Sequence, residues 1–528
     1  MASWNLYFLL KLFLYFKGDL APLWGANILF ILILILPIER RWIRAVRLLV
    51  ALAVAIPLLY YESFLPPFSH AIEQLGAIMK FDSSYMRELA ERFIPVRLLW
   101  TGALAVVIYY LLNRWIRFTS LVLIAFISIP LWHVIDAKLS LRAGPAAPIV
   151  ASAVAAGAGD GTLNVAGGNY EAVLKHFRET EAPRRVIFKP ADPRADARFD
   201  IIMIHVCSLS WDDLRVAKGM NNPLLSHFDY LFTHFSGAVS YSGPAAIRLL
   251  RADCGQTSHK DIYKPDSPEC HIFSVLHQEG YTPQIALNHD GLFDDFIGDV
   301  TRNIGVPGIK KMSLEGLPVA IKAFDGSPVR DDLAVLDRWW AARQKVKGPV
   351  ALYYNTITLH DGDHMVGSDS KLSSVKSYPI RLTKLMSDVD KFISVVKSSG
   401  RKAVLVFVPE HGAALEGEPG QIAGLRDIPT PRIINLPVGV RLINFTGKRG
   451  PTQIISAPSS YLALAQLLAN MVADSPFKPD SPPMVQYSTN LPHTAMVGEN
   501  EGIITLPTPN GYAMRDAAGN WTVQNESR

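Results

Sequence analysis

Several familiar sequence signals are missing from this chain of 528 residues. It contains three cysteines and neither a CxxC nor an HExxH pattern, so the ligands of any metal site would be separated by long gaps in the sequence. No long basic run follows residue 136, and there is no internal repeat. The formal net charge of +5 is therefore not a nucleic-acid signal, and no nucleic-acid partner is expected.

Apolar residues are concentrated before residue 136, and the mean hydropathy of the whole chain is +0.18. Five apolar segments predict an N-terminal α-helical transmembrane domain of about five spans in residues 1–136; they lie at 4–16, 20–37, 46–64, 96–115 and 118–135. A cleaved signal peptide is not expected, because no basic stretch precedes the first apolar run and no clear small-residue cleavage site follows it.

Arginines between the apolar segments determine the expected orientation. Positions 40, 41, 44 and 47 lie between the second and third segments, and positions 114 and 117 lie between the fourth and fifth. The positive-inside rule places both loops in the cytoplasm. With five spans, the N-terminus is then inside, and everything after residue 136 lies outside the cytoplasmic membrane.

The remainder of the chain divides into a linker and a catalytic domain. Residues 143–168 are rich in glycine and alanine and predict a flexible linker, within a linker and lead-in that covers residues 137–198. Residues 199–528 predict strands at 200–206, 283–287, 350–358 and 403–408, and helices at 272–278, 331–347, 378–399 and 460–472. Strands that alternate with helices indicate an α/β domain with a mostly parallel sheet.

Residues typical of metal sites follow separate predicted strands. Cys207 ends the apolar run 201–206, and Glu410 and His411 end the run 403–409. Open α/β sheets bind ligands at the carboxyl ends of their strands. A thiolate, a carboxylate and an imidazole at that edge therefore predict a zinc site. The alternative for Cys207 is a buried structural cysteine.

Ser242 is the candidate nucleophile. It precedes Gly243, Pro244 and a helix-like stretch, and the start of a helix attracts phosphate through its free backbone N–H groups. A hydroxyl next to zinc is activated as a nucleophile, because the metal lowers its pKa. The alternative is that Ser242 only caps the helix.

Further candidates would surround these groups. His360 would donate a hydrogen bond to phosphate or act as a general acid, and Arg426 would bind phosphate unless it only pairs with Asp427. The orienting and cleft-lining candidates are Tyr241, Asn288 and His289. His364, in a stretch rich in His and Asp, is either a substrate or second-metal ligand or a solvated loop histidine.

The chain resembles the zinc-dependent phosphoethanolamine transferases of the alkaline phosphatase superfamily, and within them most closely the bacterial branch that modifies cellulose. The resemblance rests on CSLSW at 207–211, SYSGPAAIRLLRA at 240–252, CGQTSH at 254–259, FDGSPV at 324–329, LHDG at 359–362, PEHG at 409–412 and GLRDIP at 424–429. These blocks are far longer than a short motif, and the resemblance covers both the spans and the outer domain.

The resemblance implies an alkaline phosphatase-like periplasmic domain on a multi-pass anchor in the bacterial inner membrane. It implies that zinc is bound by Cys207, Ser242, Glu410 and His411, that Tyr241, His360 and Arg426 lie near the transferred group, and that Cys254 and Cys270 form a disulfide. The implied reaction moves phosphoethanolamine from phosphatidylethanolamine to Ser242 and then to a glucosyl C6 hydroxyl of cellulose. The implied partners are subunits of the cellulose synthase and secretion complex.

The broader transferase family commonly has a threonine nucleophile and a carboxylate where Cys207 stands, which disfavours lipid A as the acceptor. A zinc phosphatase or phosphodiesterase would use the same ligands and transfer the group to water. A sulfatase is disfavoured, because Ala246 stands where the sulfatase signature has arginine. A lipoteichoic acid synthase-like enzyme and a non-catalytic scaffold of a secretion complex are the remaining alternatives.

Overall fold

The computed structural model describes residues 2–17, 20–63, 79–93, 96–142, 168–192, 194, 197–367, 372–418 and 421–525. The chain divides into two compact units, Met1–Ala153 and Val154–Arg528. The predicted glycine- and alanine-rich linker at 143–168 falls outside the described residues, apart from its last position.

The first unit is helical. Its described helices are Ala2–Lys17, Trp24–Ile35, Arg41–Glu62, Ser83–Phe93, Val96–Leu112 and Phe118–Arg142. All five apolar segments of the sequence are therefore helices, and Ser83–Phe93, which is rich in charge, is an additional one that periodicity did not predict. Among the described helices, Arg41–Glu62 is the one long and apolar enough to cross a membrane. The count of five spans stays a prediction.

A buried polar cluster joins three helices of this unit. Lys11 Nζ donates to Asn27 Oδ1 at 2.6 Å and forms an ion pair with Glu62 Oε2 at 2.5 Å. Both charged side chains are fully buried. The surrounding core contains Phe8, Phe30 and other apolar side chains, so the two charges stabilise the unit only as a pair.

The described residues of the second unit form three sheets. In the described residues its strands are β1 Asp200–Val206, β2 Tyr230–Ser236, β3 Thr282–Leu287, β4 Val319–Lys322, β5 Pro328–Arg330, β6 Val350–Thr356, β7 His364–Met365, β8 Ala403–Pro409, β9 Asn435–Ile443, β10 Gln453–Ile455, β11 Gly498–Asn500, β12 Ile503–Thr508, β13 Gly511–Arg515 and β14 Trp521–Asn525. The central sheet has the order β10-β2-β9-β8-β1-β6-β3. It is parallel except for β9, which runs antiparallel to β2 and β8. The sheet is thus mixed and mostly parallel.

Helices cover both faces of the central sheet. Ile201 and Met203 of β1 face one core, with the helices Ser242–Leu250, Ile272–Gln278 and Tyr461–Ala473. Ile202 and Ile204 face the other core, with Asp332–Arg343 and Ser374–Ser398. Successive side chains of a strand point to opposite faces, so the continuous apolar runs of β1, β6 and β8 require cover on both sides. The remaining described α-helices of this unit are Tyr170–Glu181, Trp211–Val216, Pro223–His227, Phe296–Asn303 and Pro431–Ile434.

Four strands of the central sheet were predicted from the sequence. The strands expected at 200–206, 283–287, 350–358 and 403–408 are confirmed as β1, β3, β6 and β8. Three further strands of the central sheet, β2, β9 and β10, were not predicted. β9 contains Pro437 and Gly439, which usually mark turns. Gly439 is required here because a Cβ atom would lie 2.3 Å from the Phe228 ring.

The C-terminal region, which the sequence left unassigned after residue 482, forms the antiparallel sheet β11–β14. The helix Tyr170–Glu181, in the predicted lead-in, packs on this sheet through Val173, Leu174 and Phe177, which contact Val497 and Leu506 among others. Arg178 also pairs with Glu499. The two ends of the second unit therefore form one small core.

Candidate active site

The three candidate metal ligands lie side by side because β1 and β8 pair in parallel, with Val206 opposite Pro409. Cys207 and Glu410 therefore leave the sheet together, and Leu209 N donates to His411 O at 2.6 Å across the two chains. One ligand atom each from Cys207, Glu410 and His411 lies within 4.8 Å of the others. The carboxyl edge of the sheet assembles this cluster from residues as far as 204 positions apart.

Ser242 joins the cluster from another direction. It is the first residue of the helix Ser242–Leu250, and Tyr241 occupies the N-cap position. Its Oγ lies 3.4 Å from Cys207 Sγ and 3.5 Å from His411 Nε2. The hydroxyl thus faces the candidate ligands, which an N-cap role alone would not require.

The donor set fits a zinc ion. Cys207, Glu410 and His411 are completely buried. Within the described residues, Glu410 Oε2 lacks a hydrogen-bond partner. His411 Nδ1 donates to the Gly412 carbonyl at 2.9 Å, which leaves Nε2 directed towards Cys207 and Ser242. A thiolate, a carboxylate and an imidazole nitrogen are the ligands that zinc prefers.

Electrostatics also favour a cation at this position. Burial raises the pKa of Glu410 to about 7, although hydrogen bonding with Ser242 and Asn355 lowers it in part. Burial, with a contribution from Glu410, raises the pKa of the Cys207 thiol. Burial and the charge of Arg426 lower the pKa of His411. Without a cation, the thiol therefore keeps its proton and Glu410 is partly protonated at pH 7; a divalent cation would displace those protons.

A chain of buried polar groups supports Glu410. Asn355, at the carboxyl end of β6, donates from Nδ2 to Glu410 Oε1 at 2.5 Å and to the His205 carbonyl at 3.2 Å. Its Oδ1 lies 2.8 Å from His289 Nε2, and His289 Nδ1 accepts from Gly291 N at 3.2 Å. The His289 ring is therefore the donor to Asn355. Partners of this kind orient a metal ligand.

His360 and Arg426 approach from two loops. His360 Nδ1 lies 2.6 Å from the Asp361 carbonyl, and its ring stacks on Phe324 with centroids 4.4 Å apart. Burial and the charge of Arg426 lower the pKa of His360 to about 3. Arg426 Nη1 donates to Ser208 Oγ at 2.7 Å, next to Cys207. Arg426 thus points into the site, while Asp427 accepts the Tyr241 hydroxyl.

Two of the predicted substrate-binding residues, Asn288 and His289, form hydrogen bonds with other buried side chains. Asn288 is fully buried, with its Nδ2 bonded to Asp332, Thr356 and Thr358 and its Oδ1 bonded to Ile357 N. It therefore braces the loop that leads to His360 and does not line an open cleft. His289 supports Glu410 through Asn355, as described above. His364 lies in β7, and its Nδ1 is 3.4 Å from the Leu372 carbonyl; its role stays a prediction.

The structure also places polar residues at the site that the sequence analysis did not identify. Asn355 is the clearest, and its signal was a polar residue near the carboxyl end of an otherwise apolar strand. Ser210 and Asp213 form a capping box at the start of the helix Trp211–Val216, which follows Cys207. Asp213 Oδ2 also accepts from Ala413 N at 2.7 Å, so it joins the two loops that carry the ligands. The disulfide between Cys254 and Cys270 is confirmed, and it leaves Cys207 as the free cysteine.

Comparison with known proteins agrees with the cellulose resemblance. Residues 155–521 match the family model of the cellulose biosynthesis protein BcsG C-terminal domain, and residues 4–131 match that of the N-terminal domain. The chain is 36% identical to cellulose biosynthesis protein BcsG of Escherichia coli and 37% identical to that of Salmonella typhimurium. Each alignment covers 99% of this chain and 96% of the relative.

The solved structures that match this chain share little sequence with it. An alkaline phosphatase superfamily protein from Vibrio parahaemolyticus has a TM-score of 0.43 and 13% identity, over 65% of this chain and 82% of that one. The integral membrane protein lipooligosaccharide phosphoethanolamine transferase A from Neisseria meningitidis has a TM-score of 0.40 and 13% identity, over 76% of this chain and 78% of that one. The two family models and the full-length relatives show that the chain belongs to the family of the cellulose biosynthesis protein BcsG.

Proposed function

We propose that this protein transfers phosphoethanolamine from phosphatidylethanolamine to the C6 hydroxyl groups of cellulose through a covalent intermediate on Ser242. The observation that supports this most is the position of Ser242 Oγ, 3.4 Å from Cys207 Sγ and 3.5 Å from His411 Nε2, at the start of a helix. A serine with that environment is suited to receive a phosphoryl group.

The proposal assigns a zinc ion to Cys207, Glu410, His411 and Ser242. When bound, zinc supplies a positive charge that lowers the pKa of a neighbouring hydroxyl and offsets charge on phosphoryl oxygens. Asn355 and His289 hold Glu410 in place for this purpose.

In the first step, Ser242 Oγ attacks the phosphorus of phosphatidylethanolamine. The Oγ–phosphorus bond forms while the bond from phosphorus to the diacylglycerol oxygen breaks, and the serine proton passes to solvent. Arg426, held by Ser208, binds the phosphoryl oxygens and stabilises their charge. His360 donates a proton to the departing diacylglycerol oxygen, which leaves as an alcohol.

Protonation of His360 in that step depends on the substrate. In the free protein the ring is neutral, because burial and Arg426 lower its pKa to about 3. The anionic phosphodiester would lie between the ring and Arg426 and would raise that pKa again. The hydrogen bond at Nδ1 leaves Nε2 as the nitrogen that exchanges the proton.

In the second step, a glucosyl hydroxyl oxygen attacks the same phosphorus. His360 Nε2 accepts the proton of that hydroxyl, the bond from phosphorus to Ser242 Oγ breaks, and the serine regains a proton from solvent. His360 releases that proton to solvent as the product leaves, because its pKa is again about 3 in the free protein, so both enzyme groups return to their starting states. The product is a phosphodiester between ethanolamine and the glucan.

The proposal also covers location and partners. The helices of the first unit would anchor the protein in the bacterial inner membrane in several passes, with the second unit in the periplasm. A lipid donor is then available in the same membrane, and secreted cellulose passes near the catalytic unit. Membership of the BcsG family supports an association with subunits of the cellulose synthase and secretion complex.

Intact mass spectrometry of the full chain with zinc and phosphatidylethanolamine would test the proposal. We expect a phosphoethanolamine adduct on Ser242 that is absent in Ser242→Ala and retained in Ser226→Ala, a control at an exposed serine. Adding a soluble cello-oligosaccharide should remove the adduct and modify the glucan. Loss of the adduct to water at the same rate without the glucan would indicate a phosphodiesterase. Glucan modification that persists in Ser242→Ala would indicate that the protein is a non-catalytic scaffold.

A further inference from the structure

The C-terminal sheet reaches the active site through its first strand, β11. Glu499 N donates to the Ala238 carbonyl at 2.7 Å, which places the strand against the segment that leads to Ser242. Gly498 permits this approach on the other side, because a Cβ atom there would lie 2.2 Å from the Pro429 carbonyl oxygen. β11 therefore lies between the loop that carries the nucleophile and the loop that carries Arg426.

Asn500, at the end of β11, bonds to both loops. Its Oδ1 accepts from Ser240 N at 3.3 Å, and its Nδ2 donates to Ser240 Oγ at 2.6 Å. The same Nδ2 donates to the Asp427 carbonyl at 2.8 Å and lies 3.3 Å from the Arg426 carbonyl. Asn500 and Ser240 are both buried, so water does not replace these bonds.

A direct bond between the loops completes the junction. Ser240 Oγ donates to the Arg426 carbonyl, so this hydroxyl accepts from Asn500 and donates to the arginine loop. Ser240 lies two residues before Ser242. A displacement of the asparagine amide would therefore change the separation of the nucleophilic oxygen and the guanidinium, the two protein groups between which the phosphorus must fit.

We propose that Asn500 is a positioning residue that sets the distance between Ser242 and Arg426 by joining their loops. The identity of the reaction in this inference rests on the proposed function. The junction between the two loops is a property of the fold and is independent of that function. Within the described residues, the hydrogen bonds of the Asn500 side chain reach Ser240 and the backbone of residues 426–427, so it acts through those groups.

A near-isosteric change, Asn500→Asp, tests the proposal in the full chain with zinc and phosphatidylethanolamine. It removes both N–H donors and places a carboxylate against two carbonyl oxygens and a hydroxyl. We expect kcat for adduct formation to fall about 100-fold, as is typical of a misplaced reacting group, while KM for the lipid changes less than about threefold. Zinc should remain bound, because Asn500 bonds to none of the ligands Cys207, Glu410 and His411 and shifts only the fourth candidate ligand, Ser242.

Amide hydrogen exchange provides a second readout that does not depend on the substrate. In Asn500→Asp, the segments 238–242 and 424–429 should both exchange faster, while the strand β1 keeps its protection. The matched control is Asn525→Asp, the same change at an exposed position of the same sheet, which should leave rate and exchange unchanged. Ser240→Ala should reproduce part of the loss, and the double variant should be no slower than Asn500→Asp alone.

The outcomes are distinguishable. If Asn500→Asp is folded, binds zinc and reacts at the wild-type rate, or if only one of the two segments exchanges faster, the positioning role is refuted. If the variant loses zinc or unfolds, Ser240→Ala decides: an unchanged rate in that variant also refutes the role. If the wild type forms no adduct, the proposed function fails, and the hydrogen-exchange result still tests the junction by itself.

Discussion

Replacing Asn355 with leucine should weaken zinc binding while leaving the four ligand-forming side chains in the sequence. Asn355 donates to Glu410 Oε1 at 2.5 Å and accepts from His289 Nε2 at 2.8 Å, and all three side chains are buried. Leucine has a similar volume but no polar group. The carboxylate then loses its donor, and the His289 N–H loses its acceptor.

The expected loss of zinc affinity is estimated from the hydrogen bond between Asn355 and Glu410. A hydrogen bond to a charged group contributes about 1.5–3 kcal/mol. Because each 1.4 kcal/mol changes an equilibrium constant about tenfold, loss of the bond to Glu410 corresponds to a factor of about 10–100 in zinc affinity. The groups that orient metal ligands have effects of about the same size when mutated. Loss of the donor also raises the pKa of Glu410 above about 7, so that a proton competes more effectively with the metal.

Competition with a chelator of known affinity measures the zinc dissociation constant at pH 7. We expect an increase of about 10–100-fold for Asn355→Leu and no change for Asn525→Leu, a control at an exposed asparagine. A circular dichroism spectrum identical to that of the wild type would show that the fold is retained. A folded Asn355→Leu protein with wild-type affinity would refute the role of the His289–Asn355–Glu410 chain.

Three further predictions concern ionisation, the disulfide and the buried ion pair. Zinc affinity should fall by more than tenfold from pH 7 to pH 6, because zinc must displace a proton from the Cys207 thiol, which alone accounts for about tenfold, and a further proton from Glu410, whose pKa burial raises to about 7. Replacing Cys254 and Cys270 with serine should lower the free energy of unfolding by about 3 kcal/mol, as measured by denaturant titration, since the two cysteines are 16 positions apart. Lys11→Met should destabilise the first unit by about 3–5 kcal/mol in thermal unfolding of the full chain in detergent, because Glu62 keeps a buried charge without its ion-pair partner.

Each of these has its own control. Glu410→Gln should show a shallower dependence of zinc affinity on pH, and an equally steep one would contradict the assignment. A thiol reductant should destabilise the wild type but not the double serine variant. Arg41→Met, which removes a positive charge at an exposed helix start, should leave the melting temperature within about 2 °C of the wild type. A similar loss in both membrane-unit variants would refute the ion-pair argument.

Strands buried on both faces were readable from sequence for a physical reason. β1, β6 and β8 require apolar side chains at nearly every position, so each appears as an uninterrupted run. The polar residue after such a run marks the edge of the sheet at which ligands bind. Cys207, Glu410 and His411 were visible in this way, and so was the general position of His360.

Strands with mixed surroundings were not readable. β2 contains Thr233 and His234, which lie where its pairing with β9 is irregular, and β9 contains a proline and a glycine. The C-terminal sheet has short strands that are partly exposed, so its composition resembles that of a loop. Periodicity reports the burial of one element at a time, and these elements are defined by their neighbours.

Local composition and order along the chain were therefore sufficient for the helical first unit, the α/β second unit and the residue types of the candidate metal site. Tertiary structure alone decided which polar residues support that site. Asn288, expected at the cleft, is instead enclosed behind the loop of residues 356–358. Asn500 joins the two loops, although nothing in its local sequence distinguishes it from other asparagines. The physical reason is that a hydrogen bond depends on distance and direction between groups up to 260 residues apart, and only the packed sheets bring those groups together.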